Sequence, residues 1–218
     1  MFVTFDTIQT RARRVTETAD PYLTQRRIEI LDAARAVFVR RGFERATMQE
    51  IADEVGISAG AIYRYFPSKE ALITTVCGAA GADYMSAFDV DATDRSAFDI
   101  LADGGAAVWS AVFGPHGEDA IRITLEATLA AMRDPEAIGD QFARQMAGEV
   151  EQLAALVERA QGEGSITSAI NARSLAATLI AVTQGMQLLH SQLQGDVDVN
   201  DAFQLLVRMV EGLQPSDD

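Results

Sequence analysis

The chain has very few residues that could form cross-links or hold metal ions. It contains one cysteine, Cys77, and two histidines, His116 and His190, among 218 residues. A single cysteine excludes an intramolecular disulfide and fits a reducing cytoplasm, which is the location we expect. The two histidines lie far apart and lack the spacing of metal ligands, so we expect neither a metal nor another cofactor.

Patterns typical of enzymes are also missing from the sequence. There is no Ser-His-Asp order and no glycine-rich loop of the kind that binds phosphate groups. These are the arrangements through which a chain of this size commonly performs nucleophilic or phosphoryl chemistry. We therefore expect that the protein is not an enzyme.

Long hydrophobic segments are scarce. Residues 1–14 contain no apolar run long enough for a signal peptide. Residues 174–195 carry no formal charge and approach the length of a membrane-spanning helix, but four glutamines and His190 lie among them. Such polar groups are costly in hydrocarbon. We therefore expect no membrane association and interpret this segment as a buried helix of a soluble oligomer.

Positive charge is scarce outside the N-terminal third. The formal net charge is −14, but residues 1–70 hold 11 Lys and Arg against 10 Asp and Glu. Residues 71–218 hold 7 against 22. This acidic surplus would repel DNA from every surface except one in the N-terminal part. An equally good interpretation is that the acidic surface keeps the protein soluble.

Residues 47–69, with the sequence TMQEIADEVGISAGAIYRYFPSK, predict two short helices joined by a tight turn. Thr47 and Glu50 have the spacing of a capping box, in which each side chain bonds to an amide at the helix start. Gly56 lies at the turn, because glycine adopts a positive φ without steric cost. Ser58 then caps the second helix. Together these features predict a helix-turn-helix, a motif that commonly binds DNA.

The other periodic segments are helical as well, so we predict an all-α protein. Its N-terminal part is a three-helix domain with the helix-turn-helix, and its C-terminal part is a helical ligand-binding and dimerisation domain. Further predicted helices cover about residues 69–88, 95–113, 118–132, 135–162, 172–193 and 199–213. Gly42 is predicted to stop the first helix, and Phe43 to fold back onto its last turn.

The predicted domains are a disordered N-terminal arm at residues 1–21, a DNA-binding domain at 22–68 and a ligand-binding and dimerisation domain at 69–218. The arm shows no periodicity. Its three arginines, Arg11, Arg13 and Arg14, leave open a second interpretation, in which the arm reaches DNA.

The segment from Gly60 to Leu72, GAIYRYFPSKEAL, resembles the signature of the TetR family of bacterial transcriptional regulators. Residues 26–58, RRIEILDAARAVFVRRGFERATMQEIADEVGIS, are similar to the same family. Beyond residue 72 the chain resembles the family only in length and helical pattern. Together with Ser58, the positions that the resemblance implies for DNA contact are Thr47, Ala59, Gly60, Tyr63, Arg64, Tyr65 and Lys69.

We predict that the recognition helix spans about residues 58–66. Tyr63 and Lys69, the only lysine of the chain, would contact phosphates and position the protein. Arg64 is the best candidate for a bidentate contact to guanine. In an alternative interpretation Tyr63 and Phe66 pack in the core of the small domain, and for Phe66 this alternative is favoured.

A heptad pattern in the last two helices predicts a homodimer. The apolar residues of the first of these helices follow at spacings of 4, 3, 4, 3 and 4, as in a helix–helix seam. Two such helices from each subunit would form a four-helix interface, as in the TetR family. An internal core seam is the alternative. The predicted interface residues are Leu175, Leu179, Val182, Met186, Leu189, Leu193, Phe203, Leu206 and Val210.

The segment between the DNA-binding domain and the dimer seam is predicted to bind a small apolar or aromatic effector. Gly104 and Gly105 in the middle of a helix would permit a kink, a close helix approach or open volume. Several large apolar residues nearby suit a cavity. The alternative is that they are core residues only. The predicted ligand-binding residues are Trp109, Phe113, Leu125, Phe142, Met146 and Gln184.

These features predict a homodimeric, sequence-specific DNA-binding regulator that binds a palindromic operator in double-stranded DNA. The resemblance to the TetR family implies a repressor that a small ligand releases from this operator. The resemblance implies the mechanism: the ligand shifts the helix predicted at 69–88 and changes the separation of the two recognition helices. The alternative is a regulator controlled by a protein partner, or an activator, without a small-molecule site.

Overall fold

The computed structural model describes residues 21–214. Within them the protein is all-α, as the sequence predicts, and no strand is formed. The predicted N-terminal arm lies outside the described residues, apart from residue 21. The helices are α1 (Pro21–Arg45), α2 (Met48–Val55), α3 (Ala59–Ile62), α4 (Lys69–Met85), α5 (Ala97–Val112), α6 (Gly117–Arg133), α7 (Asp140–Gly162), α8 (Ala172–Gln192) and α9 (Val199–Glu211), with a π-helical turn at Pro135–Gly139.

Most helix boundaries agree with the predictions to within two residues. Three helices differ by more. Helix α4 ends at Met85 rather than near Phe88 because tighter turns follow, with the Phe88 amide donating to the Met85 carbonyl at 3.1 Å. Helix α3 ends at Ile62 rather than near residue 66, and α7 begins at Asp140 because the predicted helix starts with the π-helical turn. In the described part of the chain, no helix combines the length and apolarity that a membrane span requires.

The described residues divide into two compact units. Among the described residues, the N-terminal unit contains residues 21–82 together with Asp119–Met146, and the C-terminal unit contains Asp83–Glu118 and residues 147–214. Three helices, α4, α6 and α7, run from one unit into the other.

The core of the N-terminal unit forms where α1 to α4 bury their apolar faces together with part of α6. Phe38, Ile51, Ile62, Phe66 and Leu72 are almost completely buried in it. Side chains of this size contribute about 1.5–3 kcal/mol each when fully buried. This burial stabilises the short helices α2 and α3, because helices of their length are not stable alone.

Helix α1 is kinked at Gly42, which has φ 74° and ψ 163°. The kink ends the first regular helical segment as predicted, and the Phe43 ring folds back to 4.9 Å from the Phe38 ring. The side chain of Glu126 on α6 accepts the Phe43 amide at 3.0 Å. A Cβ at position 42 would lie 2.9 Å from a carboxylate oxygen of Glu126. Glycine is therefore required here for its positive φ, and a larger residue would also displace the Glu126 carboxylate.

The C-terminal unit packs α5 against α7 and α8. Gly104 is the contact point for Phe88, since a Cβ at position 104 would lie 2.3 Å from the nearest ring carbon. Helix α5 continues through both central glycines. Gly104 therefore gives room to the Phe88 ring, which lies in the turn after α4, rather than to a second helix.

An arginine of α7 fastens the segment that precedes α5. Arg159 donates to the carbonyls of Ala92 at 2.8 Å and Arg95 at 2.6 Å, and pairs with Glu163 at 2.8 Å. Glu163 in turn accepts the Ala97 amide at 2.7 Å. The segment that precedes α5 is therefore tied to α7 by side-chain hydrogen bonds.

Candidate nucleic-acid interface

The turn between α2 and α3 has the geometry that the sequence predicts. Thr47 and Glu50 form a reciprocal capping box at the start of α2. Gly56 ends α2 in the left-handed conformation, with φ 74° and ψ 36°. The Ile57 amide then donates to the Ala52 carbonyl at 2.9 Å. These local bonds fix the direction in which α3 leaves α2.

The recognition helix is shorter than predicted. Only Ala59–Ile62 is α-helical, and its start is capped by Ser58, whose hydroxyl accepts the Ala61 amide. Tighter turns continue the chain from Tyr63 to Phe66, the Tyr65 amide donating to the Ile62 carbonyl at 2.8 Å. A single helical turn has only a small dipole, so phosphate binding by the helix end contributes less than a 58–66 helix would have supplied.

Side chains of this segment separate clearly into buried and exposed ones. Ile62 is completely buried and Phe66 is 1% exposed, whereas Tyr63 is 51% exposed. Phe66 therefore packs in the core, which is the interpretation that the sequence analysis favoured for it, and Tyr63 points to solvent. Arg64 is also exposed, while Tyr65 is half-buried against the core.

The other residues predicted to contact DNA lie in the same unit. Ser58 and Gly60 are exposed and Ala59 is half-buried. Thr47 is exposed, but both its amide and its hydroxyl donate to Glu50, at 3.0 and 3.1 Å. A phosphate would therefore compete with Glu50 for these two donors.

Lys69 is half-buried at the start of α4, and its Nζ donates to the Glu44 carbonyl at 3.0 Å. The Glu44 carboxylate pairs with Arg133 of α6. Lys69 thus satisfies a carbonyl at the end of α1, while the ammonium group has two further donors.

Two acidic side chains of α2 have cationic partners. Arg40 pairs with Glu54 at 2.6 Å, and Arg41 pairs with Glu50 at 3.2 Å. The hydrogen bond from the Thr47 amide, with that from its hydroxyl and the nearby arginines, lowers the pKa of Glu50 from its usual value of 4.5. Glu50 is thus ionised at neutral pH and completes the capping box.

The predicted dimer residues lie on α8 and α9 but differ in exposure. Leu175 and Leu179 pack against the core of the C-terminal unit. Phe203 contacts the Trp109 ring at 5.4 Å. Leu189 and Leu193 are 42% and 45% exposed. The half-buried members are Val182, Met186, Leu206 and Val210.

Two strongly exposed apolar residues of α9 were not predicted. Leu205 and Met209 are 62% and 63% exposed and lie one helical turn apart. Their spacing of four residues is a signal that the sequence contains, but it competes there with the stronger heptad pattern of Phe203, Leu206 and Val210.

The predicted ligand residues are divided between the two units. Trp109, Phe113 and Gln184 belong to the C-terminal unit, and Leu125, Phe142 and Met146 belong to the N-terminal unit.

In the C-terminal unit, Trp109 is 5% exposed and contacts the Phe113 ring at 4.6 Å. Its indole donates to the Val199 carbonyl at 3.0 Å. Phe113 also meets His190 edge to face at 5.5 Å. Gln184 is exposed, whereas Gln187 is buried and donates to the Gly117 carbonyl at 3.1 Å.

In the N-terminal unit, Phe142 packs partly against the core and Met146 is half-buried. Leu125 is 40% exposed, on the same side of α6 as Leu129 at 47% and Met132 at 74%.

Metal ligands do not gather in the described part of the chain, where no group of three or more His, Cys, Asp or Glu side chains could hold an ion. The geometry of α2 and α3 is instead that of helix-turn-helix proteins that bind DNA.

Comparison with known families identifies the particular group. Residues 30–76 match the model of bacterial regulatory proteins of the tetR family, and residues 105–215 match the model of the C-terminal part of BetI-type transcriptional repressors. The chain therefore belongs to the TetR family of DNA-binding transcriptional regulators, as its resemblance predicted.

Individual relatives are similar over different lengths. The chain is 44% identical over 52 residues to the uncharacterized regulator YfiR of Bacillus subtilis, which is 24% of this chain and 25% of the relative. It spans between 19% and 31% of the length of the first curated relatives that it matches. It is 27% identical to the transcriptional regulator UidR of Escherichia coli over 160 residues, 73% of this chain and 79% of the relative.

Solved structures superpose on this protein over most of its length. Salmonella enterica GusR superposes with a TM-score of 0.71 at 26% identity, covering 91% of this chain and 99% of GusR. Bacillus subtilis FadR, solved in complex with stearoyl-CoA, superposes with a TM-score of 0.71 at 19% identity, covering 85% of this chain and 98% of FadR. At 19% identity, the similarity to FadR shows only that the two proteins share a fold.

Proposed function

We propose that the protein is a homodimeric repressor that binds a palindromic operator and is released from it by a small apolar or aromatic ligand. The single observation that carries this proposal is the turn after α3, where exposed Tyr63 and Arg64 lie between buried Ile62 and Phe66. The buried pair fixes the backbone, and the exposed pair is free to contact a duplex.

In this proposal each exposed side chain has a distinct role. The Tyr63 hydroxyl donates to a phosphate, which positions the protein without selecting a base sequence. Arg64 donates to a guanine in the major groove, a contact that discriminates by about 1–3 kcal/mol against a wrong base. The acidic surplus after residue 70 disfavours other orientations on DNA. A protein that acts on DNA in this way works in the bacterial cytoplasm.

Dimerisation is proposed to occur through the exposed face of α8 and α9. Leu189, Leu193, Leu205 and Met209 supply its apolar area. Exposed small residues on α8, at positions 177, 181 and 185, would let a helix of the second copy approach closely. A stable dimer of this kind buries roughly 2,000 Å² or more. Twofold symmetry then places the half-sites about 34 Å apart on the duplex.

Ligand binding is proposed to involve the contacts of Trp109 in the C-terminal unit. The ring touches Phe113 and Phe203 and bonds to the first residue of α9, so a ligand that displaces it would alter the position of a proposed dimer helix. Two structural neighbours were solved with stearoyl-CoA and with choline, respectively. Their ligands differ so much that they do not define the ligand of this chain.

One observation favours the alternative of control by a protein partner. Leu125, Leu129 and Met132 form an exposed apolar stripe on α6. Surface stripes of this kind often contact other proteins. In that case Leu125 would contact a protein partner rather than a small molecule.

The DNA-binding part is tested by selecting duplexes from a random-sequence library with the full-length protein. We expect the selected sequences to contain an inverted repeat, and Tyr63→Phe to weaken binding to them. Leu205→Arg should abolish the dimer and the binding, whereas Gln152→Arg, which adds the same charge to an exposed position of α7, should change neither. Failure to enrich any sequence would refute the proposed function.

The ligand part is tested with the fluorescence of Trp109, the only tryptophan of the chain. Apolar and aromatic compounds that shift its emission should also raise the melting temperature and release the selected duplex. Release of the duplex by a protein from the same cells, with no compound shifting the emission, would favour the alternative.

A further inference from the structure

The end of the recognition segment is contacted by an arginine that is not among the positions that the family resemblance implies for DNA contact. Arg27 lies on α1, before the matched residues 30–76. Its Nη1 donates to the Tyr65 carbonyl at 2.9 Å. Its Cζ also lies 4.5 Å from the centre of the Phe66 ring. One guanidinium thus contacts two consecutive residues at the end of this segment.

The segment needs such a contact because its own helix is very short. Helix α3 has four residues, and the chain from Tyr63 to Phe66 is held by tight turns. Ser58 caps the amino end. At the other end, the Tyr65 carbonyl lies beyond the α-helical residues, and it accepts a hydrogen bond from the Arg27 side chain. The segment is therefore fixed at both ends by side chains, one local and one 38 positions away.

Only arginine can make both contacts at once. Its planar guanidinium stacks on an aromatic face while its N–H groups donate in the plane. A lysine has the same charge, but its compact ammonium cannot cover the Phe66 ring and reach the Tyr65 carbonyl together. Arg27 is therefore not replaceable by charge alone.

We infer that Arg27 is a positioning residue for DNA recognition: it fixes the turn that aims Tyr63 and Arg64 and does not itself contact the duplex. This inference rests on the proposed function, which assigns a phosphate contact to Tyr63 and base selection to Arg64. It predicts that Arg27 affects binding to the preferred duplex much more than binding to an arbitrary duplex.

The test compares Arg27→Lys and Arg27→Gln with the wild type in the full-length protein. The probes are a duplex selected by the wild type from a random library and a scrambled duplex of equal length, each titrated at several salt concentrations. Both variants should bind the selected duplex about fivefold to twentyfold more weakly, since a stacking contact and a hydrogen bond to a charged group are lost or weakened. Binding to the scrambled duplex should be unchanged.

The salt dependence separates positioning from direct contact. Each phosphate contact changes the slope of log K against log salt by about 0.9. We expect the slopes of both variants to equal that of the wild type, and the amides of Tyr63 to Phe66 to exchange hydrogen faster. Arg122→Gln, which removes a charge from an exposed position of α6, is the matched control and should behave as the wild type.

Three results would overturn the inference. Binding of both duplexes by Arg27→Lys as by the wild type would show that charge alone suffices. A slope reduced by about 0.9 in Arg27→Gln only would make Arg27 a phosphate ligand. A melting temperature lowered by more than about 10 °C in Arg27→Lys would assign Arg27 to folding. Should the wild type select no duplex, the proposed function fails first and this inference falls with it.

Discussion

Alanine should be tolerated less well at Gly104 than at Gly105, the two adjacent glycines of α5. A Cβ at position 104 would lie 2.3, 2.7 and 2.8 Å from three carbons of the Phe88 ring. At position 105 no atom lies within 4 Å of the added Cβ. Both positions are inside one helix, so replacing either glycine by alanine stabilises the helix by the same amount, about 1 kcal/mol.

The difference between the two variants therefore measures the packing of Phe88. Overpacking of this kind costs about 1–3 kcal/mol, so Gly104→Ala should be neutral to destabilising by about 2 kcal/mol after the gain in propensity. Gly105→Ala should stabilise by up to about 1 kcal/mol. In a chain of this length each kcal/mol corresponds to about 2–4 °C in melting temperature.

The assay is urea and thermal unfolding of the full-length protein at one fixed protein concentration, since association contributes to the stability of a dimer. Adding Phe88→Leu to Gly104→Ala should restore part of the loss, because the leucine side chain leaves room for the new methyl group. Equal melting temperatures for the two single variants would refute the close approach of Phe88 to α5.

Three other predictions follow from single contacts. Glu126→Ala should destabilise the protein by about 1–3 kcal/mol in urea unfolding because the buried Phe43 amide loses its acceptor. Glu126→Gln retains an acceptor oxygen and should therefore destabilise the protein less. Equal losses of stability in the two variants would contradict this prediction. Because the pKa of Glu50 is lowered in the folded state, its ionised carboxylate contributes to folding stability in full well above pH 4.5, and this contribution is lost as the pH falls through the folded-state pKa. An NMR titration that finds a pKa of Glu50 at or above 4.5 would contradict this prediction. Burial raises the pKa of the Cys77 thiol to about 12, so Ellman's reagent should label it at neutral pH only after unfolding; rapid labelling of the folded protein would contradict this.

Local signals allowed the sequence to predict the helix-turn-helix in detail. The capping box of Thr47 and Glu50 and the left-handed Gly56 depend on residues within one turn of each other, and the structure confirms both. The end of α4 was predicted three residues too far along, because apolar periodicity continues through the turn that follows Met85.

Contacts between distant segments could not be predicted in the same way. The bond from Arg27 to the Tyr65 carbonyl joins residues 38 positions apart, and that from Trp109 to the Val199 carbonyl joins residues 90 apart. Periodicity shows that a helix has an apolar face but not what the face contacts. On α8, leucines with the same heptad spacing pack against the core at Leu175 and are exposed at Leu189.

The number of chains on one selected duplex tests the central proposal most directly. Sedimentation of the full-length protein with that duplex should give a complex of two chains per duplex, and the duplex with one half-site scrambled should bind far more weakly. A complex of one chain per duplex, with the scrambled half-site making no difference, would contradict the proposed pairing of two recognition helices.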